Sequence, residues 1–153
     1  MKIKTPLSVL LVEDDHLQAG WITDTLEHAF PKIKVKPIRT EAEFYYGFDE
    51  IVSKPPDVVI MDVMLRWTDP APDMVTPPDV VRNEGYRRAG LRCVQMLAGQ
   101  SATKNIPVIL FTVLDRSDLE FETPCNVDNL LYVSKESEPE ELINKIRNVL
   151  SRE

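Results

Sequence analysis

The chain has 153 residues, of which 43% are hydrophobic, and its 25 acidic and 18 basic residues give a net charge of −7. This size and composition fit a single globular domain over residues 1–153, and the acidic balance argues against direct nucleic-acid binding, which needs a cationic surface. No apolar run approaches the ~18 residues of a membrane span and the N-terminus lacks a signal-peptide segment, so we expect a cytoplasmic protein that does not enter a membrane.

Apolar strands alternate with amphipathic helices along the whole chain. Strands are predicted at 7–12, 33–38, 58–61, 106–111 and 130–133, and helices at 15–30, 40–52, 85–98, 117–122 and 137–151. Asp15, Thr40 and Ser137 are the predicted N-caps of three of these helices. Five successive strand–helix units imply right-handed crossovers and a doubly wound α/β fold, in which helices cover both faces of a parallel sheet.

The segment 66–84 interrupts this alternation, because it is rich in proline and shows no clear periodicity. Connections in compact domains are usually ~2–6 residues long, and much longer ones are commonly functional or disordered. We therefore expect an extended loop after the third strand, which serves as a partner surface or as a flap beside a binding site. Four arginines in and after this segment are interpreted as a solvated helix face. They are Arg82, Arg87, Arg88 and Arg92.

Polar side chains stand at the ends of four predicted strands. Asp62 ends the buried strand 58–61, and in open α/β sheets ligands bind outside the carboxyl ends of the strands. On its own, Asp62 reads more simply as a helix cap or a turn residue. The other strand ends change that interpretation, because in a parallel sheet they all lie along the same edge. These ends carry Glu13 and Asp14, Thr112, and Lys135.

Three carboxylates, a hydroxyl and an ammonium group are thus expected to converge. Clustered carboxylates repel one another unless a cation joins them, and Mg²⁺ suits oxygen ligands. Between a magnesium ion and Lys135, the Asp62 carboxylate could act as a nucleophile and form an aspartyl phosphate. Thr112 could then donate a hydrogen bond to a phosphoryl oxygen. The pattern therefore predicts a magnesium-dependent site that accepts a phosphoryl group.

Four short motifs carry a family resemblance. They are VLLVEDD at residues 9–15, VVIMD at 58–62, ILFT at 109–112 and YVSK at 132–135. In this order, and each at a strand end, they resemble the receiver domain of the two-component response regulators. The resemblance implies a flavodoxin-like (βα)5 fold with strand order 2-1-3-4-5. With no output domain in the sequence, it also implies a stand-alone receiver.

The same resemblance implies a ligand set for the metal. Asp62 would accept the phosphoryl group, and Asp14 and Asp62 would ligate Mg²⁺. The backbone carbonyl of Met64 would complete the protein ligands, and Glu13 would act on the metal through a water molecule.

Three further roles follow from the resemblance. Lys135 would pair with the phosphoryl group, Thr112 would move to hydrogen-bond it, and Tyr132 would turn inward behind Thr112 as an aromatic switch. The donor would be a histidine kinase or a histidine phosphotransfer protein, and the signal would pass to a downstream protein partner. The face formed by residues 115–151 is the expected contact surface and a candidate for homodimerisation. Beyond self-catalysed transfer and slow loss of the phosphoryl group, we expect no enzymatic activity.

The sequence departs from the family pattern at several positions. Glu136 follows the lysine where the family usually has Pro, which leaves the expected cis-peptide turn open. Arg66 replaces a Pro in the turn after the phosphorylated aspartate. Met64 and Leu114 occupy the positions that flank the attacking water, and neither side chain can orient water by hydrogen bonding. We therefore expect slow self-dephosphorylation.

Other classes of function were weighed against this one. A degenerate receiver that binds proteins without phosphorylation remains an alternative. The complete set of polar strand-end residues argues against it, whereas Glu136 and the 66–84 segment keep it open. A phosphatase of the haloacid dehalogenase type needs a second Asp two residues after the nucleophile, where this chain has Met64. A dinucleotide-binding role would need a glycine-rich loop after the first strand, and the sequence has none there.

Overall fold

The computed structural model describes residues 6–70, 76–120 and 129–151. Within them lies a five-stranded parallel sheet whose spatial order is 2-1-3-4-5, as predicted. The strands are β1 (Ser8–Val12), β2 (Lys34–Ile38), β3 (Val58–Met61), β4 (Val108–Thr112) and β5 (Leu130–Ser134). The flavodoxin-like fold class that the sequence predicts is therefore confirmed.

Helices connect the strands. They are α1 (His16–Ala29), α2 (Glu41–Tyr46), α3 (Phe48–Ser53), α4 (Asp79–Glu84), α5 (Ala89–Ala98), α6 (Arg116–Glu120) and α7 (Pro139–Leu150). A single 3-10 turn, Tyr86–Arg88, leads into α5. Among the described ranges, none of these helices is long and apolar enough to cross a membrane.

Two hydrophobic layers enclose the sheet, one on each face. Alternate strand residues point to opposite sides, so that Leu10 packs in one layer and Leu11 in the other. The first layer contains the buried side chains of α2, α3 and α5, and the second contains those of α1 and α7. Because β1, β3 and β4 are covered on both faces, their sequences are continuously apolar rather than alternating.

One predicted helix interior and one predicted helix start differ from the structure. The predicted helix 40–52 is divided at Gly47, which ends α2 and begins α3, since glycine is a poor residue for a helix interior. Asp15 and Thr40 are N-caps as predicted. Ser137 is not: the N-cap of α7 is Glu138, which makes no side-chain capping bond. Pro139 fixes this start, because proline lacks an N–H and is favoured at the first helical position.

The segment 66–84 is more regular than its sequence suggests. Its last six residues form α4, whereas the sequence analysis finds no periodicity there. The helix is too short for a pattern to show, and Val81 is its buried residue. Val81 packs with Ala42 and Trp67 in a small cluster separate from the two main layers. The predicted helix 117–122 is observed as α6, and its positions 121 and 122 lie outside the described residues.

Candidate functional site

The three carboxylates predicted to converge do so at the carboxyl edge of the sheet. Glu13 and Asp14 follow β1, and Asp62 follows β3. Sheet-type hydrogen bonds continue beyond the strand ends: the Glu13 N–H donates to Ile38 O and the Asp62 N–H donates to Val12 O, both over 2.9 Å. One carboxylate oxygen from each acidic residue lies within 4.8 Å of the other two. The backbone pairing of the sheet therefore holds the acidic group together.

Lys135 joins this group from the end of β5. Its Nζ lies 2.5 Å from Glu13 Oε1 and 2.9 Å from Asp62 Oδ2, and its side chain is almost completely buried. The Lys135 N–H donates to the backbone carbonyl of Thr112 over 2.9 Å, which fixes the lysine beside the end of β4. The ammonium group thus bridges two of the three carboxylates.

Thr112 and Tyr132 lie on the two strands that follow β3 in the sheet. The Thr112 side chain is fully buried, and its Oγ1 accepts a hydrogen bond from the Leu114 N–H over 3.2 Å. The Tyr132 hydroxyl donates to the Leu114 carbonyl over 2.6 Å, and its ring packs against the first hydrophobic layer. Both residues therefore hold the same loop after β4. Their predicted part in a switch remains a prediction.

Burial and the neighbouring charges shift the pKa values of both bonded side chains, Glu13 and Lys135. Burial, together with the charge of Asp62, raises the pKa of Glu13 to about 7, although Lys135 acts against this shift. Burial also disfavours the charged form of Lys135, but the carboxylates of Asp62 and Glu13 outweigh it, so the pKa of Lys135 is raised. Lys135 is therefore a constant positive charge, whereas the raised pKa leaves Glu13 only partly ionised near neutral pH. The negative charge that a further cation would offset thus comes chiefly from Asp14 and Asp62.

The acidic group fits a magnesium ion. Oxygen ligands that surround one Mg²⁺ at ~2.0–2.1 Å are ~3–4 Å apart, and the carboxylate oxygens of Glu13, Asp14 and Asp62 lie within 4.8 Å of one another. The donor type and the spacing are therefore close to those of a magnesium coordination shell. Met64, whose carbonyl is the fourth predicted contributor, lies two residues after Asp62, and its N–H donates to Asp62 Oδ1 over 3.4 Å.

Arg66 contacts the acidic group, which its sequence position did not predict. Its backbone N–H donates to Asp14 Oδ2 over 3.1 Å, and its Nε lies 3.5 Å from the same oxygen. The guanidinium group also reaches Asp69, where Nη1 is 3.2 Å from Oδ1. The unusual arginine after the third strand was visible in the sequence, but its partner Asp14 is distant along the chain.

Gly90 is a second residue that the sequence analysis misses. Its N–H donates to the Val63 carbonyl over 2.8 Å. A Cβ atom at this position would lie 2.1 Å from the Asp62 carbonyl oxygen and 2.7 Å from Val63 Cα. Only glycine lets the start of α5 approach the backbone of the predicted phosphoacceptor this closely.

One member of the predicted solvated arginine face is instead buried. Arg92 donates from Nε and Nη2 to the two carboxylate oxygens of Glu41, over 2.8 and 2.7 Å. It also donates to Glu84 Oε1 over 3.2 Å and to the Gly85 carbonyl over 2.9 Å. Arg92 therefore ties α5 to the start of α2 and to the end of α4, and the interpretation as a solvated face is wrong for this residue.

Solved receiver domains share this structure. The receiver domain of a signal transduction histidine kinase from Syntrophus aciditrophicus is 25% identical, with a TM-score of 0.66, and the match covers 94% of this chain and 89% of that one. A chemotaxis response regulator of Vibrio cholerae is 21% identical, with a TM-score of 0.66 and coverage of 95% and 99%.

A third similar structure holds a metal. It is the receiver domain of a sensor histidine kinase from Pseudomonas aeruginosa, described with a magnesium ion coordinated in its active site cleft. It is 17% identical, with a TM-score of 0.66 over 95% of this chain and 98% of that one. No family model and no curated protein matches the sequence. The chain nevertheless has the fold of a response regulator receiver domain, and the predicted resemblance is confirmed.

Proposed function

We propose that this protein is a phosphorylation-dependent switch of two-component signalling, in which Asp62 accepts a phosphoryl group in the presence of Mg²⁺. The observation that carries the proposal is the position of Asp62. Its carboxylate lies 2.9 Å from the Lys135 ammonium group and shares the sheet edge with Glu13 and Asp14. A buried carboxylate between a fixed cation and two further acidic ligands suits phosphoryl transfer better than a structural ion pair, which would need only one carboxylate.

The proposed donor is a phosphohistidine of a histidine kinase or of a histidine phosphotransfer protein. An Asp62 carboxylate oxygen attacks phosphorus, and an O–P bond forms as the P–N bond breaks. The histidine nitrogen leaves with the electron pair and is protonated from solvent. Lys135 holds the Asp62 carboxylate and attracts the incoming phosphoryl oxygens. Magnesium bound by Asp14, Asp62 and the Met64 carbonyl would supply charge neutralisation for the phosphoryl group.

The readout is proposed to pass through the loop after β4. Thr112 would turn its hydroxyl from the Leu114 N–H towards a phosphoryl oxygen, which would release the loop that Tyr132 also holds. The surface formed by residues 115–151 would then contact a downstream protein or a second copy of the chain. We place this exchange in the cytoplasm and assign the protein no further enzymatic activity.

Phosphorylation by a small-molecule donor tests the proposal. The chain is incubated with acetyl phosphate and MgCl₂ and its intact mass is measured. The wild type should gain one phosphoryl group, and Asp62→Asn should gain none. Asp49→Asn, which removes an exposed carboxylate on α3, is the control and should react like the wild type. A phosphorylated Asp62→Asn protein would contradict the assignment.

A degenerate receiver is the second candidate, and the contact of Arg66 with Asp14 favours it. This contact gives one predicted metal ligand a cation of its own at 3.5 Å. Beryllofluoride with Mg²⁺ separates the two candidates, because it mimics the phosphoryl group at a competent aspartate. Backbone amide shifts of Asp62, Thr112 and Lys135 should change in the NMR spectrum of a phosphorylatable switch. An unchanged spectrum would favour the phosphorylation-independent module.

A further inference from the structure

Arg66 contacts one carboxylate oxygen of Asp14, a predicted metal ligand, with both its backbone and its side chain. Both the Arg66 N–H and its Nε approach Asp14 Oδ2, over 3.1 and 3.5 Å. This oxygen therefore already faces a positive charge on the side of the segment 66–70. Glu13 and Asp62 share the second cation, Lys135.

The backbone around Arg66 is fixed by helix α2, so the contact of its N–H with Asp14 is built into the fold. The Glu41 N–H donates to the Arg66 carbonyl over 3.0 Å, and the Ala42 N–H donates to the Trp67 carbonyl over 2.9 Å. The Trp67 ring packs against Tyr45 with a centroid distance of 5.9 Å. These bonds hold the main chain at Arg66, whose side chain is half-exposed and pairs with Asp14 and Asp69.

The charges around the site show how Arg66 affects the binding of a cation. Glu13, Asp14 and Asp62 offer three carboxylates, and Lys135 and Arg66 set two positive charges against them. A divalent ion that enters must either share the Asp14 carboxylate with the guanidinium group or displace that group from it. Like charges at a few ångströms repel, even near the surface. The arginine therefore weakens the attraction of the site for a cation.

We infer that Arg66 sets the metal affinity of this site, by competing with the divalent cation for Asp14. The inference rests on the proposed function, since it concerns the same metal site. Asp69 makes the exchange feasible. It lies 3.2 Å from Arg66 Nη1 and is largely exposed, so the guanidinium group can turn fully to Asp69 when the cation takes Asp14. Arg66 is thus a residue that controls metal entry rather than a catalytic residue.

Metal affinity measured without phosphorylation tests this inference. MgCl₂ is titrated into the ¹⁵N-labelled chain at constant ionic strength, and the dissociation constant is taken from the amide shifts of Met64 and Lys135. Arg66→Gln removes the charge but keeps the backbone bonds, and it should bind Mg²⁺ about two- to tenfold more tightly than the wild type. Arg66→Lys keeps the charge and should stay closer to the wild type.

The control is Arg82→Gln. Arg82 is also exposed and also pairs with an aspartate three residues away, Asp79, at 3.6 Å, and its loss should leave the dissociation constant unchanged. In the wild type, the Arg66 Nε–H signal should shift as Mg²⁺ binds, because the guanidinium group leaves Asp14. This signal is independent of any phosphoryl transfer.

The outcomes are distinct. If the wild type binds Mg²⁺ and Arg66→Gln binds it equally or less tightly, the inference is wrong while the proposed function stands; weaker binding would mean that Arg66 orients Asp14 for the metal. If Arg66→Gln binds Mg²⁺ and the wild type does not, the inference is supported in its strongest form. If neither protein binds Mg²⁺, the inference and the proposed metal-dependent function both fail.

Discussion

Hydrophobic residues occupy the two positions that, by the family resemblance, flank the water that attacks an aspartyl phosphate. Met64 follows Asp62 by two residues, and Leu114 lies in the loop held by Thr112. Neither side chain carries a group that can orient water. An aspartyl phosphate at Asp62 should therefore lose its phosphoryl group slowly, over many minutes rather than seconds.

Polar replacements at these positions test that expectation. Met64→Asn combined with Leu114→Gln should shorten the half-life of the phosphorylated protein by about an order of magnitude, since an oriented water attacks more readily. The half-life is measured on phosphate-affinity gels after the donor is removed. A wild-type half-life of seconds would contradict the prediction.

Gly90 gives a prediction about stability at the same scale. Gly90→Ala would press a methyl group against the backbone at Asp62 and Val63, which cannot move aside as a flexible side chain could. We expect a loss of about 1–3 kcal/mol in the free energy of unfolding, as for other overpacked sites, together with slower phosphorylation. Urea unfolding measures the first effect.

Gly20→Ala is the matched control for Gly90→Ala. Gly20 lies within α1, and an added Cβ meets no atom within 4 Å. Because alanine is favoured over glycine in an exposed helix interior, this variant should be more stable by about 0.5–1 kcal/mol. If both variants were stabilised, the close approach at Gly90 would carry no functional constraint.

Individual residues also show what the sequence could not predict. Asp62 and Lys135 could be predicted from the sequence because each follows a strand, and parallel topology brings strand ends together. Gly90 could not be predicted, because the atoms that require a glycine there belong to the distant backbone of Asp62 and not to its sequence neighbours. The bonds of Arg92 to Glu41 span 51 positions, so a local pattern of arginines gave the wrong answer.

At the scale of elements, the ion pairs of one buried arginine, Arg92, join three helices. Arg92 of α5 is bonded to Glu41 at the start of α2 and to Glu84 at the end of α4. Arg92→Ala would leave the Glu41 carboxylate buried without its partner, and should cost about 3–5 kcal/mol of unfolding free energy.

A double substitution separates the charge from the packing. Glu41→Met with Arg92→Met removes both charges and should recover most of the lost stability, because a buried ion pair is often no better than apolar side chains. Arg82→Ala, at an exposed position, should change stability by no more than about 0.5 kcal/mol. Denaturant unfolding of the four proteins measures these values. A double variant as unstable as Arg92→Ala would show that the packing dominates.

Elements were predicted best where the core determines them. The strands β3 and β4 are short apolar runs buried on both faces, and their sequences show this directly. The break at Gly47 and the six-residue α4 depend on local geometry and on a single buried contact, Val81. Such elements are too short for a hydrophobic period to predict.

At the scale of the whole molecule, metal binding should increase the stability of the folded chain. A ligand that binds only the folded chain raises the free energy of unfolding by about 2.7 kcal/mol at a hundred times its dissociation constant. MgCl₂ should therefore raise the thermal midpoint of the wild type. Asp14→Asn should lose most of this increase, because a predicted ligand is gone.

The controls for this measurement exclude general salt effects. NaCl at equal ionic strength should not reproduce the increase. Asp24→Asn, an exposed substitution on α1, should respond to MgCl₂ like the wild type. If Asp14→Asn responded to MgCl₂ as strongly as the wild type, the metal would bind somewhere other than the sheet edge.

The two ends of the long connection between β3 and α5 lie next to each other. The Leu65 N–H donates to the Tyr86 carbonyl over 3.2 Å, so the residues on either side of it are joined directly. The entropy of closing a loop rises only slowly with its length. Added length between Leu65 and Tyr86 should therefore leave the strand ends undisturbed. A fluorescent reporter inserted in this connection would lie close to the proposed phosphorylation site, and its signal could follow the state of that site.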